Sequence, residues 1–159
     1  MLEVGQPAPP FSLESDTGET VTLESLKGTP TVIYFYPRDD TPGCTKQACS
    51  IRDSWAEFGR IGARVIGVSP QNPASHRKFK EKYGLPFPLL ADTEHSMADD
   101  YGVWVEKKNY GRTYMGIERS TFVIDADGNL AAIKRRVKPD EHTAWAFGQI
   151  EKLTAGAHS

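Results

Sequence analysis

The sequence predicts an α/β layered sandwich: a central mixed β-sheet flanked by helices, with a small β-hairpin ahead of it. Three observations carry that reading. Two runs rich in β-branched and aromatic residues, 31–36 (T-V-I-Y-F-Y) and 63–69 (A-R-V-I-G-V-S), are apolar almost throughout, as strands covered on both faces are. Each is followed by a segment of helical composition, the pattern of a strand–helix–strand crossover. Further on, two strand-like runs meet at Asp127-Gly128, a dipeptide suited to a tight hairpin turn, and lead into a last helix.

The elements follow in order. Runs 11–13 and 21–23 flank Ser15-Asp16-Thr17-Gly18 and predict the N-terminal hairpin. The strand over 31–36 precedes a helix over 42–58. Thr41 is its candidate N-cap and Pro42 its first residue, a favoured pairing at helix starts. The strand over 63–69 precedes a helix over 73–83, stopped by Gly84. A short strand over 88–91 and a short helix over 96–101, stopped by Gly102, come next. Strands 121–125 and 130–134 form the late hairpin, and a final helix spans 139–153. The tail, 155–159, is expected to fray. No repeat, linker or low-complexity tract divides the chain, so residues 1–159 read as one domain of a size that buries a real core.

Composition excludes several classes of function. A net charge of −2 gives no basic excess to attract nucleic acid and no acidic tail. The apolar runs are too short to cross a bilayer. The N-terminus, M-L-E-V-G-Q-P-A-P-P, has neither a basic n-region nor an apolar h-region, which predicts a cytoplasmic protein. Lys107, Lys108, Arg112 and the stretch 133–138 read as a solvated basic face, with a docking patch for a reductase as the alternative. Tyr101, Trp104, Tyr110 and Tyr114 read mainly as core. His76 and Arg77 are placed on a surface helix without chemistry.

The chain has two cysteines, Cys44 and Cys49, within Y-P-R-D-D-T-P-G-C-T-K-Q-A-C. Cys44 falls in the first turn of the helix over 42–58. There the helix dipole and free backbone N–H groups favour a nucleophilic thiolate. Thr41 is placed to offer its hydroxyl to the sulfur or to a bound oxygen, and Pro37 and Pro42 restrain the loop between them. Five residues of ideal helix put the two cysteine Cα atoms about 8.7 Å apart and roughly 140° around the axis. A disulfide needs Cα atoms closer than about 7 Å. The two thiols can therefore join only if the helix unwinds, which suggests a cycle in which Cys44 is oxidised, the helix melts and Cys49 condenses with it. A metal site is poorly supported, because His76, His95, His142 and His158 are scattered. The C-x4-C spacing also differs from the C-x-x-C of general dithiol exchangers.

These residues carry a resemblance. Pro37, Thr41 and Cys44 have the P-x-x-x-T-x-x-C spacing of peroxiredoxins. The string D-D-T-P-G-C-T-K-Q-A-C resembles the bacterioferritin comigratory protein, or PrxQ, subfamily. The likeness extends through G-V-S-P, S-H-R-K-F, Y-G-L-P-F-P-L-L-A-D and Y-G-R-T-Y-M-G-I-E-R-S-T-F-V-I-D, covering nearly the whole chain. It implies a thioredoxin-like fold and a thiol peroxidase acting on hydrogen peroxide and organic hydroperoxides. It implies Cys44 as the peroxidatic cysteine, Cys49 as the resolving cysteine and Arg119, in E-R-S-T-F, as the active-site arginine. It also implies thioredoxin as reductant, and no metal or organic cofactor. Nothing in the spacing alone brings Arg119 to Cys44. Met115-Gly116-Ile117 are candidates for lining the peroxide pocket. No heptad or long apolar edge advertises an interface, so a monomer is expected. Two rival readings use the same cysteine pair: a redox switch without turnover, and a thiol-dependent metal carrier or holdase. Multiple turnovers with a reductant separate the first rival from a peroxidase, and metal content tests the second.

Overall fold

The structure, a computed structural model, describes residues 2–157. Its centre is a five-stranded sheet in the order β5-β4-β3-β8-β9, built from β3 (Thr31–Phe35), β4 (Arg64–Ser69), β5 (Leu89–Ala91), β8 (Ser120–Ile124) and β9 (Leu130–Lys134). β3, β4 and β5 run parallel, β8 runs antiparallel to them and β9 antiparallel to β8, so the sheet is mixed. Every residue of β3 and β8 is buried, and β3 accordingly reads as a nearly unbroken apolar run.

Alternation along the strands sends side chains into two separate cores. Ile33, Phe35, Ile66, Val68, Phe122 and Ile124 face one of them, closed by Leu23 and Leu26 of α1 (Leu23–Leu26) and by Met97 and Ala98 of α5 (Ser96–Asp100). Val32, Tyr34, Val65 and Val123 face the other. That side is covered by α2 (Pro42–Asp53), α3 (Trp55–Arg60), α4 (Pro73–Tyr83) and α6 (His142–Ala157). An antiparallel hairpin of β1 (Ser12–Glu14) and β2 (Thr20–Thr22) precedes the sheet. A second hairpin, β6 (Trp104–Asn109) with β7 (Arg112–Ile117), projects from it.

Several elements differ from the sequence expectation. The helix expected over 42–58 is two helices, because Ser54 leaves helical geometry at φ −102° and ψ 11°. Leu23 opens α1 instead of closing the hairpin, with the hydroxyl of Thr22 accepting from the Ser25 amide. The last helix starts at His142 rather than 139 and continues to Ala157, so 155–157 are helical; residues 158 and 159 of the expected frayed tail lie outside the described residues. No element was expected over 104–117, where the β6–β7 hairpin stands. Of the four aromatics assigned mainly to core, Tyr101 is fully buried and Trp104 packs against the core. Tyr110 is 98% exposed at the hairpin tip, and Tyr114 is also exposed. His76 is fully buried, not on a surface.

Candidate active site

β3 delivers the chain to the site. After Phe35 the chain enters the loop 36–41, and α2 begins at Pro42 with Thr41 in extended N-cap geometry. Cys44 lies in the first turn of α2 and is 2% exposed. Antiparallel pairing then explains how a distant arginine arrives. Phe35 at the end of β3 is opposite Ser120 at the start of β8, so the residue before Ser120 lies beside the start of α2. That residue is Arg119, whose carbonyl accepts from the Val137 amide at 2.8 Å. Its Nη2 donates to Cys44 Sγ at 3.3 Å. A guanidinium hydrogen-bonded to sulfur stabilises negative charge there and presents further donors to whatever approaches.

Two residues overlooked in the sequence complete this contact. Gln47 is fully buried one turn beyond Cys44, and its Oε1 accepts from Arg119 Nη1. The guanidinium is thereby held in a fork between Cys44 and Gln47. The available signal was a polar residue at i+3 from the cysteine, on the face that otherwise carries Ala48 and Ile51. Gly43 is the second. A Cβ there would sit 3.3 Å from Arg119 Nη2 and 3.4 Å from Pro139 Cγ, so a side chain would crowd the arginine.

Thr41 differs from expectation. It occupies the N-cap position, but its hydroxyl makes no cap bond and donates to the Arg38 carbonyl at 3.1 Å rather than to sulfur. Pro37 is half-buried, and its carbonyl accepts from Ser69 Oγ at 3.4 Å. Cys49 is half-buried on the same helix as Cys44, and both thiols are free. Met115 is exposed, and Ile117 lies in the core on the far side of the sheet from Cys44.

The ground beneath α2 is polar and buried. Tyr34 Oη, Gln47 Nε2, Thr121 Oγ1 and both ring nitrogens of His142 have no hydrogen-bond partner among the described residues. Tyr34 and Thr121 are opposite each other on β3 and β8, and the His142 ring lies 5.3 Å from that of Tyr34. Burial pushes the Tyr34 hydroxyl well above its usual range, and the charge of Cys44 adds to the effect. Burial pushes His142 down to about 3, helped by Arg119 and Lys134. Burial also draws the Lys107 ammonium below its ordinary value, and Arg119 contributes. Arg119 is the cation that touches the Cys44 sulfur.

A profile of the AhpC/TSA family matches residues 4–133. Peroxiredoxin Bcp of Bacillus subtilis is 50% identical over 153 residues, 96% of this chain and 98% of that protein. Peroxiredoxin Bcp of Escherichia coli K12 is 43% identical over 141 residues, 89% and 90% of the two chains. Among solved structures, peroxiredoxin Q of Xanthomonas campestris superposes with a TM-score of 0.86 at 35% identity over 91% of each chain. The bacterioferritin comigratory protein of the same organism, described for alkyl peroxide reduction, gives 0.89 at 32% identity over 96% of this chain and 99% of that one.

Proposed function

The chain belongs to the AhpC/TSA family and is a peroxiredoxin of the Bcp and PrxQ kind, with a thioredoxin-like fold, and we propose that Cys44 is the nucleophile of its peroxidase reaction. The observation that carries this reading is the donation from Arg119 Nη2 to Cys44 Sγ at 3.3 Å. A thiolate held at a helix start beside a fixed guanidinium suits in-line attack on a peroxide oxygen.

The reaction runs as follows. The Cys44 thiolate attacks one oxygen of hydrogen peroxide or an organic hydroperoxide, the O–O bond breaks, and water or an alcohol leaves after taking up a proton. Cys44 becomes a sulfenic acid. Arg119 and the backbone N–H groups of the first turn of α2 stabilise the charge that builds on the oxygens. The Thr41 hydroxyl turns from the Arg38 carbonyl to the peroxide, and Pro37 shields the sulfur. α2 then unwinds, the Cys49 sulfur attacks that of Cys44, the S–O bond breaks, and water leaves with the proton released by Cys49. An external dithiol, thioredoxin in this reading, restores both thiols through a mixed disulfide. No metal or organic cofactor takes part, and the protein acts as a monomer.

Peroxide consumption with thioredoxin, thioredoxin reductase and NADPH tests this. Cys44→Ser is expected to lose turnover and form no sulfenate. Cys49→Ser is expected to consume one equivalent of peroxide and then stall. Sustained thioredoxin-driven turnover in Cys49→Ser would contradict the resolving role. A wild type that oxidises once without turnover, whatever dithiol is supplied, would favour a redox switch.

A further inference from the structure

Unwinding α2 raises the question of what stops the unwinding from spreading. One neighbouring helix touches the chain on both sides of the cysteine segment. On the N-terminal side, Asp39 is buried and accepts from the hydroxyls of Tyr36 at 2.6 Å and Ser75 at 2.7 Å. His76 Nδ1 lies 2.7 Å from the second of its carboxylate oxygens, Oδ2. The other ring nitrogen, Nε2, is 2.9 Å from the Leu90 carbonyl. A carbonyl only accepts, so Nε2 donates to it, and the ring bridges the Leu90 carbonyl and the Asp39 carboxylate. Asp40, the next residue, accepts from Lys82 Nζ at 2.7 Å and Tyr83 Oη at 2.6 Å. The first of these contacts, and then the second, hold its carboxyl below the usual range. Asp40 also has φ 55°, a left-handed kink that a non-glycine residue adopts at a cost. On the C-terminal side, Arg52 Nη1 donates to the Tyr83 carbonyl at 2.6 Å.

Ser75, His76, Lys82 and Tyr83 all belong to α4, which is itself well secured. Asn72 Oδ1 caps it by accepting from the Ser75 amide at 2.8 Å, and Gly84 closes it in left-handed geometry at φ 62°. Phe79 packs between the rings of Tyr36 and Tyr83. Lys80 pairs with the buried carboxylate of Asp16 at 2.9 Å.

We propose that α4 is a bracket that grips both flanks of the cysteine segment through Asp39, Asp40 and Arg52, confining redox-coupled unwinding to residues 41–51 and holding the reduced helix closed over Cys44. This rests on the resolving role of Cys49 stated above. The geometry allows it: the ten helical residues 42–51 span about 15 Å and, extended, reach about 33 Å, so Cys49 can swing to Cys44 while both flanks stay in place. Asp39 and His76 are thus positioning residues. They touch no reacting atom, and they set how long Cys44 remains against Arg119.

The bracket predicts opposite effects on the two chemical steps. Loosening a flank lets α2 fray, which slows peroxide attack and speeds disulfide formation. A merely structural role would slow both or neither. The test is single-turnover rapid-mix oxidation of the full chain. The peroxide-dependent rate and the peroxide-independent rate are followed by quenching and mass analysis of the Cys44 sulfenate and of the peptide linking Cys44 to Cys49. His76→Asn releases the buried flank. Lys82→Met releases an exposed contact and Arg52→Met a half-buried one, and they keep the test decisive if His76→Asn does not fold. His76→Asn is expected to lower the first rate severalfold and raise the second. These two variants are expected to shift each rate about twofold in the same directions, the scale of an exposed ion pair for Lys82 and of a single net hydrogen bond for Arg52. Both rates falling together, or neither moving while the linked peptide still forms, overturns the bracket alone. A wild type that yields no linked peptide overturns the resolving role and the bracket with it.

Discussion

Helices α2 and α4 are nearly equal, twelve and eleven residues long, and each begins with a proline after a polar residue in extended geometry. They are finished differently. Asn72 caps α4 with its side chain, Lys80 and Lys82 sit in its last turn against the helix dipole, and Gly84 ends it. Thr41 leaves α2 without a side-chain cap, and its last residue runs into Ser54 and another short helix. Their footings differ too. The contact face of α4 carries a closed set of rings and a satisfied carboxylate, whereas α2 lies over Tyr34, Thr121 and His142, whose polar side-chain atoms meet no partner among the described residues. A stable helix and one meant to come apart can thus share length and opening motif. The difference lies in caps and in what lies beneath.

Three changes sharpen or break that contrast. The largest concerns the floor under α2. His142 is held neutral by burial, with its folded value near 3 against an ordinary 6.5. The unfolded chain therefore binds a proton that the folded chain refuses as pH falls from about 6.5 toward about 3. Stability is full above that window and declines through it by up to about 1.4 kcal/mol per pH unit. His142→Phe, similar in shape and without a titrating ring, is expected to flatten this part of the stability–pH curve in denaturant titrations between pH 6.5 and 4. An unchanged slope would remove His142 from the account.

The second change removes the advantage of α4. Asn72→Ala deletes its N-cap and is expected to cost about 1 kcal/mol of global stability, read from the denaturant midpoint. No measurable loss would mean that tertiary contacts alone secure the helix. The smallest change strengthens α2. Ser50→Ala raises helix propensity in its interior by about 0.5 kcal/mol, enough to slow disulfide formation about twofold in single-turnover traces. Faster disulfide formation in that variant would contradict unwinding as the step that controls it.

Much of this was legible in the sequence. β3 and β4 declared themselves because strands buried on both faces leave continuous apolar runs, and Thr41-Pro42 marked the start of α2. The β6–β7 hairpin left no such trace. Its strands are largely exposed and polar, so burial imposes no alternation, and its turn uses Tyr110 and Gly111 at φ 52° and 77° rather than an obvious turn dipeptide. Arg119 could be reached only through the resemblance, because its approach to Cys44 depends on which strands pair, and pairing across the sheet is not written in local spacing. Asp39 and His76 were hidden for the same reason. Each is an ordinary polar residue until α4 folds over the loop and buries the pair. The break at Ser54 was invisible because helical composition continues through it.

The contrast between α2 and α4 is tested most directly by amide hydrogen exchange, comparing the fully reduced protein with the protein oxidised by one equivalent of peroxide. The account predicts that oxidation strips protection from amides within 42–51 while those of 76–83 in α4 keep theirs. Loss of protection across α4 as well, or retained protection in α2 with the cysteines joined, would contradict it.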